Sequence, residues 1–193
     1  MMDKTLCEGK TDNELVRLSL KNEDYFYCII VRYEEVLSRY IQRISRATKE
    51  DAEDILQEVF MSVYQNLNDF DESLKFSSWI YRITHNKTIS AWRKLNSRPK
   101  TVSTDEDIDL FKFIASEENI LKDLEKKCDS KQVKVALEKI DKKYKEVLVL
   151  KFLEDKDYKE ISDILKRPMG TVATLINRAK KIFKKEIEKK LII

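Results

Sequence analysis

Apolar residues recur at helical spacing along most of this chain. Leu15, Val16, Leu18 and Leu20 form a short run, and Phe26, Ile29, Ile30, Tyr33, Val36, Leu37, Tyr40, Ile41 and Ile44 a long one. Asp12 to Ser45 therefore predicts two helices. In TKEDAEDILQEVFMSVYQNL, the residues Ala52, Ile55, Leu56, Val59, Phe60, Val63 and Leu67 keep the spacing of one buried face, with Thr48 and Asp51 as cap residues. NDFDESLK interrupts the period and reads as a loop, and FSSWIYRITHNKTISAWRK resumes it. NSRPKTVSTDEDID loses periodicity, contains Pro99 and reads as a linker. Helical pattern returns weakly over Ile114 to Leu124 and strongly from Val133 to Phe152. The expected fold is all-α: two small helical domains, residues 1–96 and 130–193, joined by an acidic linker at 97–129.

Composition supports the helices. The chain has 193 residues with 2 Gly and 2 Pro, where typical usage would give roughly 13 and 10. Charged residues, mostly Lys and Glu, make up 38%, and both are good helix formers. No apolar run of ~18 residues predicts a membrane span, and the charged start MMDKTLCEGKTDNE lacks the apolar core of a signal peptide. Cys7, Cys28 and Cys128 are widely spaced and odd in number, which fits a reduced, cytoplasmic protein better than a disulfide framework. The one histidine, His85, has no cysteine at zinc-ligand spacing, so neither metal nor cofactor is expected.

Charge is laid out in blocks. Glu50 to Glu72 holds eight acidic residues and no Lys or Arg; Phe76 to Arg98 holds five basic residues and no acid. From Ala136 onward sixteen Lys or Arg stand against ten Asp or Glu. Any one block fits a solvated face. An acidic helix followed directly by a basic, aromatic-rich one suggests neighbouring surfaces with different partners. In the basic stretch Phe76, Trp79, Ile80 and Ile83 read as core. Tyr81, His85, Thr88 and Trp92 form a second stripe beside Arg82, Asn86 and Arg93. That stripe either stacks on unpaired bases, as single-strand binding requires, or completes the core.

The stretch YKEISDILKRPMGTVATLINRAKK carries one of the two prolines and one of the two glycines two positions apart. Tyr158, Ile161, Ile164 and Leu165 mark a short apolar helix face. Pro168 disfavours helix at Arg167, Gly170 can take positive φ, and Thr171 can cap the next helix. That helix is expected to bury Val172, Ile176, Ala179, Phe183 and Ile187, leaving Thr174, Asn177, Arg178, Lys181 and Lys185 outside. The layout is that of a helix-turn-helix, whose second helix presents Arg and Asn to bases and Lys to phosphates in a major groove. A plain helical hairpin with a wet basic face has the same spacing.

Taken in series, DAEDILQEVF, FDESLKFSSWIYRITHNKTISAWRK and ISDILKRPMGTVATLINRAKK resemble the extracytoplasmic-function class of bacterial sigma factor over about residues 12–188. The resemblance implies a non-enzymatic initiation factor whose partners are core RNA polymerase, promoter DNA as duplex and as melted non-template strand, and an anti-sigma protein. It implies that Asp54, Gln57 and Glu58 meet the polymerase clamp. Phe70, Asp71, Arg82 and Asn86, with Tyr81 of the aromatic stripe, would hold the melted minus-ten strand. Thr171, Thr174, Asn177 and Arg178, with Lys181 on the same stripe, would face the minus-thirty-five duplex. The chain departs from the family at Ala173 and Leu175, where basic residues are frequent, so a weaker duplex contact is expected.

Two other classes compete. A stand-alone helix-turn-helix regulator accounts for the carboxyl-terminal part but not for the acidic helix beside the basic one. A DNA enzyme needs a Ser or Tyr nucleophile among several Arg or His groups, and the chain offers one His, no phosphate-cradling glycine loop and no metal-type carboxylate cluster.

Overall fold

The structure is a computed structural model and describes residues 4–45, 47–95 and 130–191. The acidic linker, Cys128 and the weak helical run at Ile114 to Leu124 lie outside the described residues. The described residues are helical throughout, with short connections and no strand. The helices belong to two compact units, one built on α1–α4 and the other on α5, α6, most of α7, and α8.

The amino-terminal unit begins with a 3₁₀ turn at Lys4–Cys7, followed by α1 (Asp12–Ser19), α2 (Asp24–Ser45), α3 (Lys49–Gln65) and α4 (Phe76–Leu95). Its entries are set by local chemistry. The Thr11 hydroxyl accepts from the Glu14 N–H while the Glu14 carboxylate accepts from the Thr11 N–H, a capping box that starts α1. Thr48 and Asp51 do the same for α3, as the sequence predicts. Leu15, Leu37, Tyr40, Ile41, Ala52, Val59, Val63, Phe76 and Ile80 are sealed from solvent where the four helices meet. On α4 the buried hydroxyls of Thr84 and Thr88 donate back to the carbonyls of Ile80 and Thr84, at 2.9 and 2.7 Å, and so satisfy themselves within the helix.

One expectation about this unit is corrected. Cys7 and Cys28 form a disulfide, with a Cα separation of 5.2 Å across 21 residues of sequence. Spacing along the chain is silent on this pairing. The turn at Lys4–Cys7 and the start of α1 fold back on α2, and this brings the two thiols together.

The carboxyl-terminal unit holds α5 (Ser130–Lys139), α6 (Lys142–Leu148), α7 (Tyr158–Leu165) and α8 (Met169–Leu191). The helical pattern expected from Val133 to Phe152 is divided between two helices and a π turn. Asp141 takes an extended N-cap conformation, and α6 widens into a π turn at Val149–Leu153. Ala136, Leu137, Val147, Leu148, Val149, Leu150 and Phe152 are buried, as are all five residues expected on the inner face of α8. Among the described residues, no helix is long and apolar enough to cross a membrane.

Candidate nucleic-acid interface

On α3 the two periodicities separate cleanly. Ile55, Leu56, Val59 and Phe60 face the core, and Asp54, Gln57 and Glu58 stand in solvent on the opposite side. Glu58 is near the Lys87 ammonium of α4, at 3.9 Å, but remains 67% exposed. The stripe runs on into Met61, 62% exposed, and Tyr64, whose ring meets Phe26 edge-on at 5.0 Å. Periodicity along the chain gives Met61 and Tyr64 no role. The signal was available, since two large apolar side chains lie off the buried face of an amphipathic helix.

The loop between α3 and α4 opens with a 3₁₀ turn at Leu67–Asp69. Phe70 is 8% exposed and packs against Phe76 and Trp79, with ring centroids 5.3 and 5.4 Å apart. Its ring anchors the loop from within, and the strand contact expected of it rests on the resemblance alone. Asp71 is exposed and accepts from the Ser73 N–H at 2.9 Å, a bond that holds its carboxyl below the usual range. Beside it, Glu72 receives Arg17 of α1 in a two-pronged contact. This bond lowers the Glu72 carboxyl and raises the Arg17 guanidinium, so both stay charged.

Along α4, Asn86 and Arg93 are exposed and Arg82 is half-buried. The second aromatic stripe mostly resolves as core. Tyr81 is 4% exposed with its ring 5.1 Å from that of Tyr40, His85 Nδ1 lies 2.9 Å from the Tyr40 hydroxyl, and Thr88 is sealed. In the free chain Tyr81 thus serves packing, the second of the two readings open to the stripe. Trp92 is half-buried. The open part of this surface is thus polar and charged: Asp71, Asn86 and Arg93 exposed, with Arg82 half-buried among them.

The helix-turn-helix is built differently from the prediction. Lys166, not Gly170, takes the left-handed conformation, at φ 52° and ψ 48°, and ends α7. The Arg167 N–H then donates to the Ser162 carbonyl (3.1 Å) while the Ser162 hydroxyl donates to the Arg167 carbonyl (2.5 Å), closing the turn. Pro168 stands at the entry to α8, its carbonyl accepting from Thr171 and Val172 at 2.9 and 3.0 Å. Thr171 therefore lies inside the first turn and does not cap it. The reason is that Pro168 needs no N–H partner, so the helix can start directly after it at Met169, three residues earlier than a Thr171 cap would place it.

Thr171, Thr174, Asn177, Arg178 and Lys181 are all exposed along α8. Thr174 donates its hydroxyl proton to the Gly170 carbonyl at 2.9 Å, leaving the oxygen as an acceptor. Leu175 is 9% exposed and belongs to the core, so of the two apolar departures only Ala173 is open to the outer face.

The comparisons fit this geometry. Residues 29–98 match the model of sigma-70 region 2, and residues 130–182 match that of sigma-70 region 4. The ECF RNA polymerase sigma factor SigW of Bacillus subtilis is 31% identical over 172 residues, covering 86% of this chain and 90% of SigW. The chain belongs to the ECF sigma factors. The sigma-E factor of Escherichia coli is 26% identical over 191 residues, 95% of this sigma factor and 97% of that one. Among solved structures, CnrH in complex with the cytosolic domain of CnrY superposes with a TM-score of 0.68 at 22% identity, over 92% of this chain and 97% of that one. RpoE of Bartonella quintana, in complex with the anti-sigma factor NepR, does so with a TM-score of 0.64 at 16% identity, over 84% and 96%. The match to region 2 covers the acidic and basic helices that a stand-alone regulator leaves unexplained.

Proposed function

We propose that this sigma factor binds core RNA polymerase through the outer face of α3, opens promoter DNA with the α3–α4 loop and α4, and reads an upstream duplex element with α8. The observation that carries this reading is the α3 stripe. Asp54, Gln57 and Glu58 stand together on a helix whose other face is buried, as a docking surface requires. Met61 and Tyr64 extend that stripe with the apolar contacts that interface cores favour. Asp71, Arg82 and Asn86 are the groups offered to the melted non-template strand, the Arg82 guanidinium meeting phosphate, and the Asp71 carboxylate and Asn86 amide meeting base edges. Thr171, Thr174, Asn177, Arg178 and Lys181 face the duplex, and Arg178 is the group suited to two bonds with a guanine.

The factor works as a non-enzymatic subunit, in the cytoplasm with its polymerase. There the Cys7–Cys28 pair meets a reducing pool. The same join is also held by Arg32 and Tyr33 of α2 on Asp12, at 2.6 and 2.5 Å. The anti-sigma partner in the RpoE complex, and CnrY in the CnrH complex, support an inhibitory protein partner for this chain too. Reconstituted transcription tests the core of the reading. The chain should co-elute with core polymerase and direct initiation at a promoter that core alone ignores. Tight, specific duplex binding by the free chain, with no affinity for core, would point instead to a stand-alone regulator.

A further inference from the structure

The tip of the α3–α4 loop, Asp71 to Ser73, is exposed, and most of its bonds are internal. The Asp71 carboxylate accepts from the Ser73 N–H, and the Asp71 carbonyl accepts from the Leu74 N–H at 3.0 Å. Among the described residues, the side-chain bond that ties this tip to another element is Glu72 to Arg17. Arg17 Nε donates to both carboxylate oxygens, at 3.0 and 3.1 Å, and Nη2 donates to Oε2. Arg17 stands in the last turn of α1, outside the residues matched to region 2. The other end of α1 is fixed to α2. Arg32 donates to Asp12 Oδ1 (2.6 Å) and to the Lys10 carbonyl (2.7 Å), and the Tyr33 hydroxyl donates to Asp12 Oδ2 (2.5 Å). A chain of polar bonds thus runs from α2 through α1 to the loop tip.

We infer that Arg17 is a positioning residue for promoter opening: it holds Glu72, and through it Asp71, in the shape that receives the melted strand. This deepens the role given to the loop above and rests on it. A planar guanidinium bonded to both oxygens sets the direction of a carboxylate as well as its distance, which a lysine does not. Charge points the same way. Asp69, Asp71 and Glu72 bring three carboxylates to a segment that is to lie against a polyanion, and Arg17 offsets one of them. An exposed pair does little for folding, so the effect of Arg17 falls on the loop shape and not on whether the unit folds.

The test uses full-length chain in reconstituted holoenzyme. The variants are Arg17→Lys, Arg17→Glu, Glu72→Arg and the exchange Arg17→Glu/Glu72→Arg. Three quantities are read: affinity for core, permanganate reactivity of unpaired thymines, and preference across a randomised minus-ten element. Arg17→Lys should lower open-complex occupancy about two- to fivefold, the range one exposed pair supplies, and Arg17→Glu about tenfold, since two carboxylates then face each other. Core affinity should stay within twofold, and the exchange should restore both opening and preference. Unchanged opening in Arg17→Glu overturns the inference. So does an exchange as defective as its single variants, because Arg17 would then be touching DNA or polymerase itself. A wild-type chain that binds no core and opens no promoter fails the sigma reading first and takes this inference with it.

Discussion

Reversing charge on the α3 stripe separates polymerase docking from folding. Take Glu58→Lys combined with Asp54→Lys. Both side chains are exposed, and the ion pair that Glu58 makes to Lys87 among the described residues is long at 3.9 Å, with the Glu58 side chain 67% open to solvent. Exposed pairs of this kind contribute ~0.2–1 kcal/mol at best, and surface substitutions generally shift stability by within ~0.5 kcal/mol. The fold should therefore survive, with its urea midpoint almost unmoved. Binding behaves differently. If docking buries these carboxylates against cations of the clamp, losing one partner of such a buried, hydrogen-bonded pair costs about 2–5 kcal/mol, and each ~1.4 kcal/mol is a factor of ten, so core affinity should fall at least ~30-fold. Fluorescence anisotropy of labelled chain titrated with core polymerase measures this directly. A useful contrast is Leu56→Ala on the inner face of the same helix, which should lower stability by ~2–5 kcal/mol as a core truncation. If the double reversal binds core within threefold of wild type while remaining folded, α3 is not the docking surface and the reading of this unit has to be rebuilt.

Four further outcomes are expected. Arg178→Ala should cost ~1–3 kcal/mol and relax preference at one upstream base, whereas Lys185→Ala should weaken all sequences alike; an unchanged preferred sequence in a randomised minus-thirty-five library would remove α8 as the reader. Asn86→Ala should reduce thymine reactivity without moving the thermal midpoint, and Tyr81→Ala should do the reverse at the level of the fold, losing ~3–5 kcal/mol as a buried ring is removed; equal midpoints for the two would show that Tyr81 is not core. Lys166→Gly should raise stability by ~0.5–1 kcal/mol, because an L side chain at φ 52° costs ~1–2 kcal/mol and glycine's greater freedom when unfolded returns only part of that; a drop in the urea midpoint would contradict it. Burial raises the Glu146 carboxyl above its ordinary value, against the opposing pull of Lys142 and Arg167. The folded chain then binds more protons than the unfolded one, so stability should fall as pH rises from the ordinary carboxylate value through the raised one, and Glu146→Gln should flatten that slope. A slope that survives the substitution assigns it to another group.

Sequence alone determined the helices and their two faces, because burial of an apolar stripe at 3.6-residue spacing is a local, repeating demand. Ile55, Leu56, Val59 and Phe60 went inside and Asp54, Gln57 and Glu58 stayed out for that reason, and the same holds for Val172, Ile176, Ala179 and Phe183 against Asn177 and Arg178. The sequence of motifs also pointed to the family before any coordinate did. What it left open was every position lying between two stripes. Tyr81 and Leu175 have polar or basic neighbours in sequence, yet Tyr40 covers the one and the core of the second unit takes the other. Turn chemistry was ambiguous in the same way. Pro168 and Gly170 both invite a break, and only the paired bonds between Ser162 and Arg167, one backbone and one from the Ser162 hydroxyl, gave the left-handed turn to Lys166. Contacts between residues far apart in the chain carry no periodic signal at all. Cys7 met Cys28, and Arg17 met Glu72 across 55 positions, because α1 folds back against α2 and ends beside the loop before α4.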